Sequence, residues 1–372
     1  MPIPATSHGR ETAMVIGILG GGQLARMIAL AGYPLGLKFI VLDPGENICS
    51  SPVAEQLHGA YDDEAMLAEL AERADIVTYE FENVPAKAVA FLADKVTVYP
   101  PREALATAQD RLKEKTLFCE LGIDTPEFVA IDSLDALMLA METVGWPAVL
   151  KTRCEGYDGK GQALLRQPDD LAPAWEGIKG VPAIVEAFVP FEREISIIAV
   201  RSKTGETQCY PVAENTHRDG ILRLSIARPD DEMQAQAQAY AEKLLSKLNY
   251  VGVLTLELFQ AGDRLLANEF APRVHNSGHW TQDGAETSQF ENHLRAILEL
   301  PLGATDAMGH TAMLNMVGAI PSSSDVLMHK HAHLHLYDKA PRPGRKLGHI
   351  NLLAQSKKAL ETEIKTLLPL LG

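Results

Sequence analysis

Residues 14–19, M-V-I-G-I-L, run directly into Gly20, Gly21 and Gly22, and this junction constrains the fold more than any other stretch. The apolar, β-branched run predicts a strand, and the glycines predict a tight turn into a helix carried through Ala31. A second apolar run, residues 38–42, ends at Asp43. Two strands joined by a helix read as a βαβ unit, so the N-terminal part is predicted to be an α/β domain on a parallel sheet. The turn reads G-x-G-x-x-A ahead of an acidic strand end, the layout of a dinucleotide-binding fingerprint. Any βαβ unit that places an anion at a helix N-terminus wants the same glycines, so a dehydrogenase is only one reading. A third strand, residues 75–81, carries Glu80 near its end with Glu82 and Asn83 beyond it. Open α/β sheets place ligand groups there, and a helix cap is the alternative.

A chain of 372 residues is too long for one ordinary core, so two or three domains are expected,. A formal charge of -15 argues against a general nucleic-acid surface, and any anionic ligand must be held by local clusters,. Cysteines 49, 119, 154 and 209 show no C-x-x-C pairing, which fits a reducing, cytoplasmic compartment,. Residues 1–13 are polar and lack the apolar core of a signal peptide, so a disordered extension is expected. No run of about 18 apolar residues occurs, and no membrane span is predicted.

The local clusters are five. Residues 151–162, K-T-R-C-E-G-Y-D-G-K-G-Q, set glycines and two lysines between two short strands, as in a phosphate-gripping hairpin loop; a solvated turn is the alternative,. Upstream, the amphipathic helix ending at Gly122 carries Arg111 and Lys115 four apart, on one face, to grip phosphates or to pair with Asp110 and Glu114,. Glu257 and the Asn268-Glu269 pair alternate with apolar neighbours on two predicted strands, 254–259 and 264–270. Both carboxylates are expected in a protected region, where a Mg ion partly ligated by phosphates accounts for them better than an unpaired buried charge. The segment 271–282, A-P-R-V-H-N-S-G-H-W-T-Q, is polar and poor in core formers, so Arg273, His275, Asn276 and Ser277 are candidate ligand donors,. Zinc at His275 and His279 is a poorer reading, since no third ligand accompanies them. Near the C-terminus Lys339, Arg342, Arg345 and Lys346 fall within eight residues, a candidate monophosphate site or a solvated charge run,.

Taken in order, these parts resemble the ATP-grasp superfamily. Within it, G-G-G-Q-L, F-E-N-V-P, Q-D-R-L-x-x-K, G-Y-D-G-K-G-Q, E-x-F-V-x-F-E-R-E-I-S, N-E-x-A-P-R-x-H-N-S-G-H-W-T and Y-D-K-x-x-R-P-G-R-K-x-G-H are similar to the 5-(carboxyamino)imidazole ribonucleotide synthase family. The resemblance spans residues 14–371. It implies a Rossmann-like domain at 14–112, a central lid domain at 113–190, and an α+β ATP-grasp domain at 191–372 with the metal site and a small C-terminal subdomain.

The resemblance also implies roles. ATP would be held by Arg111, Lys115, Lys151 and the loop residues Glu155, Gly156, Gly159, Lys160, Gly161 and Gln162. Glu186, Ala187, Phe188 and Val189 would meet the adenine edge, Glu194 the ribose, and His217, Asn268 and Glu269 the nucleotide and its metal surroundings. Glu257 and Glu269 would hold Mg. Arg273, His275, Asn276, Lys160, Asp158 and Tyr157 would do the chemistry. Gln23, Glu82, Tyr157, Asp158, Arg273, Ser277, Lys339, Arg345 and Lys346 would hold the aminoimidazole ribonucleotide and bicarbonate. The implied reaction is ATP-dependent carboxylation of 5-aminoimidazole ribonucleotide through carboxyphosphate, by a homodimer that passes its product to a mutase. Glu155 beside the phosphate loop has no assigned role.

Overall fold

The computed structural model describes residues 13–154, 156 and 161–371. The apolar run after Met14 becomes β1 (Val15–Leu19). It lies in one sheet with β2 (Lys38–Asp43), β3 (Glu55–His58), β4 (Ile76–Tyr79) and β5 (Thr97–Val98). All pairs are parallel, in the order β3-β2-β1-β4-β5. The order reverses between β1 and β4, and ligands of open α/β sheets bind beyond the carboxyl ends of strands at such a reversal.

The turn after β1 is closed by the protein's own carboxylates. Gly20 has φ +98°, and a Cβ there would lie 2.5 Å from Glu80 Cγ,. Gly22 N–H and Ala25 N–H donate to the Glu80 carboxylate (2.5 and 3.0 Å), and Gly21 N–H donates to Asp43 Oδ2 (2.7 Å). A pyrophosphate would need these same amides, so the dinucleotide reading of the fingerprint fails: the helix Gln23–Gly32 already has its anions,.

The predicted helix ahead of Gly122 begins at Arg111. A separate helix, Arg102–Ala108, ends before Asp110, whose carboxylate accepts from Leu112 N–H (3.0 Å) and caps the helix Arg111–Glu120,. A second sheet follows, built from β6 (Phe128–Ile131), β7 (Ala148–Thr152), β8 (Gln162–Leu165) and β9 (Ala183–Ala187). Its order is β6-β9-β7-β8, antiparallel throughout. Lys151 faces Gln162 across the β7/β8 hairpin. Gly161 has φ +71°, and a Cβ there would approach Thr152 Oγ1 to 2.7 Å, so the hairpin needs glycine at that point,. The helix Leu134–Val144 covers this sheet, and Leu137, Leu150, Leu165 and Val185 form a core of its own.

The third sheet holds β10 (Arg193–Arg201), β11 (Thr207–Cys209), β12 (Val212–Arg218), β13 (Ile221–Arg228), β14 (Gly252–Ala261), β15 (Arg264–Ala271), β16 (His310–Val317), β17 (Ala332–Leu336) and β18 (Lys346–Ala354). Its order is β15-β14-β10-β12-β13-β16-β18-β17, with β11 beside β10, so the C-terminal strands extend the same sheet. Tyr210 and Pro211 separate β11 from β12, because proline has no N–H to give a ladder,.

The first and third units share one hydrophobic cluster in which Ile16, Ile28 and Phe39 meet Trp280, Phe290 and Leu294. His293, in the helix Gln289–Ile297, stitches them further: Val253 N–H donates to its Nδ1 (3.2 Å), leaving Nε2–H for Thr78 Oγ1 (3.0 Å). Arg273, two residues past β15, pairs with Glu82 beyond β4. Burial pushes the Glu82 carboxyl up, but the Arg273 guanidinium outweighs it and holds the group at about 2, against an ordinary 4.5,. A carboxyl lowered in the folded state contributes stability above its ordinary value and loses it as pH falls towards 2. Glu82→Gln is therefore expected to flatten the acid limb of a urea-unfolding profile between pH 4.5 and 2. It is also expected to lower stability at pH 7 by about 1–2 kcal/mol, allowing for partial exposure of the pair. An acid limb identical to that of the parent protein would contradict the pairing.

Candidate active site

Two carboxylates on neighbouring strands form the centre. β14 and β15 pair with Glu257 opposite Glu269, and the register then shifts so that Leu258 faces Ala267. Asn268 is the extra residue of a β-bulge. A strict strand would send Asn268 and Glu269 to opposite faces, whereas here both reach cations: Lys151 Nζ donates to Asn268 Oδ1 (3.2 Å), and Arg111 donates to Glu269 Oε2 (2.7 Å). Glu257 is held by His275, whose Nε2 lies 3.0 Å from Oε1. Burial alone would raise the Glu257 pKa, but His275, His217 and Arg273 together hold it below the usual carboxylate range,. Glu114 behaves oppositely. Burial pushes its carboxyl up and the neighbouring Glu269 charge adds to that, while Phe270 N–H donates to it (2.7 Å).

Above this pair sit the lysines of the helix and the small sheet. Glu186 is buried between Lys151 (2.8 Å) and Lys115 (3.3 Å). Burial raises the Glu186 pKa, but the two ammonium groups outweigh it and hold it at about 2. Lys151 thus has one acceptor in each of two sheets, Glu186 and Asn268, and is aimed by both. Lys115, expected to contact ATP, is fully buried and donates to Ala267 carbonyl (2.9 Å) and Thr125 Oγ1 (3.0 Å). Burial also lowers its pKa. Four-residue spacing put Arg111 and Lys115 on one face, as expected, but that face dips into the core after one turn. The Glu186 carboxylate, expected at the adenine edge, is paired with Lys151 and Lys115.

The remaining expected residues fall into three groups. Gln23 and Lys339 meet, Lys339 donating to Gln23 Oε1, and Arg345 donates to Ala340 carbonyl (3.2 Å), so the C-terminal cations and the first domain's turn share one end of the site. Lys346 opens β18 nearby in sequence. Glu194 and His217, on β10 and β12, contact each other. Burial lowers the His217 pKa, but Glu194 outweighs it and the net shift is upward. Asn276 is tied to Asn315 of β16 by two reciprocal amide bonds (3.1 and 2.7 Å), a partner its own segment gave no hint of. Ser277, expected at the substrate, is instead fully buried, its hydroxyl bonded to Ser196 (2.7 Å) and His275 (2.9 Å). Gly156, Gly161 and Gln162 lie on the β7/β8 hairpin, while Glu155, Tyr157, Asp158, Gly159 and Lys160 lie outside the described residues. Arg153, which had no role in sequence, clamps the base of that hairpin: it donates to both oxygens of Asp110 (2.9 and 2.5 Å), and its carbonyl accepts from Arg111 N–H (2.9 Å).

The donor set fits a hard cation. Glu257 and Glu269 stand in register and an amide oxygen, Asn268 Oδ1, lies next to them, which suits an ion that takes further oxygens from a phosphate chain,. Among the described residues no group of three or more His, Cys, Asp and Glu is arranged for a metal. His279 is buried with its Nδ1 at Gln289 (3.2 Å), so a zinc pair with His275 does not form,.

Comparison with known proteins agrees with this geometry. Residues 13–109 match the ribonucleotide synthetase preATP-grasp domain, residues 116–290 the ATP-grasp domain, and residues 311–363 the phosphoribosylaminoimidazole carboxylase C-terminal domain. N5-carboxyaminoimidazole ribonucleotide synthase of Pseudomonas aeruginosa is 51% identical over 94% of this chain and 98% of its own. The crystal structure of N5-carboxyaminoimidazole ribonucleotide synthetase from Thermus thermophilus is 52% identical, with a TM-score of 0.92 over 96% of this chain and 98% of that one. The Aspergillus clavatus enzyme, solved with ADP and 5-aminoimidazole ribonucleotide, is 31% identical, with a TM-score of 0.90 over 97% of this chain and 99% of that one. On three domains in one order and half of its residues identical over nearly the full length, the chain belongs to the N5-carboxyaminoimidazole ribonucleotide synthase family.

Proposed function

We propose that this chain joins bicarbonate to the exocyclic amine of 5-aminoimidazole ribonucleotide, converting ATP to ADP and phosphate, in purine synthesis. The observation that carries the reading is the Glu257/Glu269 pair, with Arg111 and Lys151 on one side and Arg273 on the other. Glu257 and Glu269 would hold Mg, which supplies charge neutralisation on the phosphate oxygens.

The side chains divide the work. Arg111 and Lys151 are already oriented by Glu269, Glu186 and Asn268, and an incoming triphosphate would compete for the same donors, so little reorganisation is needed,. A bicarbonate oxygen attacks the γ-phosphorus, the bond to ADP breaks, and carboxyphosphate forms. The amine nitrogen then attacks the carboxyl carbon as phosphate leaves, and the amine loses a proton. Arg273, fixed by Glu82, would hold the carboxylate end of this intermediate by two hydrogen bonds,. Water would hydrolyse carboxyphosphate, so the β7/β8 hairpin would shut the site, and Tyr157, Asp158 and Lys160 are proposed to take part in the chemistry. Gln23, Lys339, Arg345 and Lys346 would take the ribonucleotide's phosphate end, and Glu194 and His217 the nucleoside of ATP. The product carries a labile carbamate, which favours use by a mutase soon after release. A homodimer acting in the cytoplasm is the assembly and place proposed. The described cysteines form no disulfide, as a reducing compartment leaves them,.

Release of ADP and phosphate is expected to require bicarbonate and 5-aminoimidazole ribonucleotide together; turnover with formate and glycinamide ribonucleotide in their place would contradict the assignment. Glu257→Gln and Glu269→Gln are each expected to lower kcat at least about 100-fold, read from initial rates at a temperature where the variant is folded. Arg153→Ala frees the base of the hairpin and should raise the KM for ATP about 5–10-fold with a smaller change in kcat, a split read from initial rates.

A further inference from the structure

A row of buried polar side chains crosses the large sheet and ends at His275. Ser225 on β13 donates through Oγ to Asn215 Oδ1 on β12 (2.7 Å), and Asn215 Nδ2 donates to Ser196 Oγ on β10 (3.0 Å). Ser196 Oγ donates to Ser277 Oγ (2.7 Å), which lies 2.9 Å from His275 Nδ1. Ser196, Ser225 and Ser277 are fully buried and Asn215 nearly so. Apolar side chains would fill such positions without losing hydration, so a continuous uncharged polar row inside a core calls for a reason.

Its direction is set at the histidine end. Ser277 N–H can only donate, and it points at His275 Nδ1 (3.3 Å), so Nδ1 is an acceptor,. The ring proton then sits on Nε2, 3.0 Å from Glu257 Oε1, which can only accept. Ser277 Oγ receives the Ser196 proton and gives its own to Nδ1. Every hydroxyl in the row therefore donates towards His275. Asn215 is the one member whose donor and acceptor ends are chemically different, so its amide fixes the direction of the rest.

We propose that Ser225, Asn215, Ser196 and Ser277 form a positioning relay that holds His275 in its Nε2–H tautomer, making the imidazole a fixed donor to Glu257 and not a base at Nε2. His275 then keeps one carboxylate of the central pair in a single orientation, and the proton lost by the attacking amine leaves by another route. The consequence for turnover rests on the proposed function of Glu257. The tautomer itself does not.

The test uses the full chain labelled with 15N-histidine, free of nucleotide and metal, with the His275 signals assigned by their loss in His275→Gln. The expected long-range 15N–1H pattern is that of one Nε2–H tautomer. Asn215→Asp offers acceptors to both serines, reverses Ser196, draws the Ser277 proton away and leaves Ser277 Oγ as an acceptor, so the pattern should move to Nδ1–H or to a mixture. Ser196→Ala cuts the row without adding a buried charge and should give a mixed pattern. It should also lower kcat about 10-fold with the KM for ATP held within about twofold, the scale of changes behind a first layer of ligands. An Nδ1–H pattern in the parent protein, or an unchanged pattern in both variants, would overturn the relay. Unchanged kcat in a variant whose tautomer has moved would overturn its part in turnover. Failure of the bicarbonate requirement would remove the proposed reaction and leave the tautomer result standing, so the two fail separately.

Discussion

The register that sets Glu257 against Glu269 is the constraint on which the rest of the molecule depends. Two carboxylates facing each other on paired strands repel, and each has to find a hydrogen-bond donor from elsewhere in the chain,. Glu269 takes Arg111 from the helix at the domain junction, and Glu257 takes His275 from the turn after its neighbouring strand. The bulge at Asn268 adds a third attachment, to Lys151 of the small sheet. A requirement for charge balance at one point on one sheet thus draws in the elements that a phosphate-transferring site needs.

The same logic recurs wherever an anionic ligand is expected. Glu186 stands between two lysines, and Glu82 occupies Arg273. The protein's own carboxylates hold these donors in place before any ligand arrives. The cost of orienting them is met during folding and not during turnover, which is how preorganised polar sites lower a barrier. The small sheet differs from the other two units in having a separate core, attached through few contacts such as Arg153 with Asp110. That independence suits a part that has to open and close.

Much of this was legible in the sequence, and the misses share a cause. Apolar runs flanking Gly20–Gly22 specified the parallel sheet because that signal is local. The alternation of Glu257 and Glu269 with apolar neighbours specified two strands, since one face of a strand repeats every second residue; Glu257 is protected as expected, whereas the Glu269 side chain is 40% exposed,. The burial of Lys115 was not legible, because helical spacing says which residues share a face but not where that face enters the core, and its partner Glu186 lies in another sheet. Ser277 looked like a ligand donor within a polar run, yet its hydroxyl is bonded to Ser196, 81 residues earlier on another strand, and to His275. Arg153 carried no signal because Asp110, its partner, caps a helix 43 residues earlier. Local pattern finds elements and single charged groups; which charges are spent on each other is decided by contacts distant in sequence.

The central claim is that the facing carboxylates are a cation site held ready by Arg111 and His275. Its most direct test is a crystal structure of the protein with Mg and ADP. The account predicts one ion ligated by both Glu257 and Glu269, with the Arg111 guanidinium turned from Glu269 to a phosphate oxygen. An ion bound elsewhere, with the Glu269–Arg111 and Glu257–His275 contacts both unchanged, would contradict it.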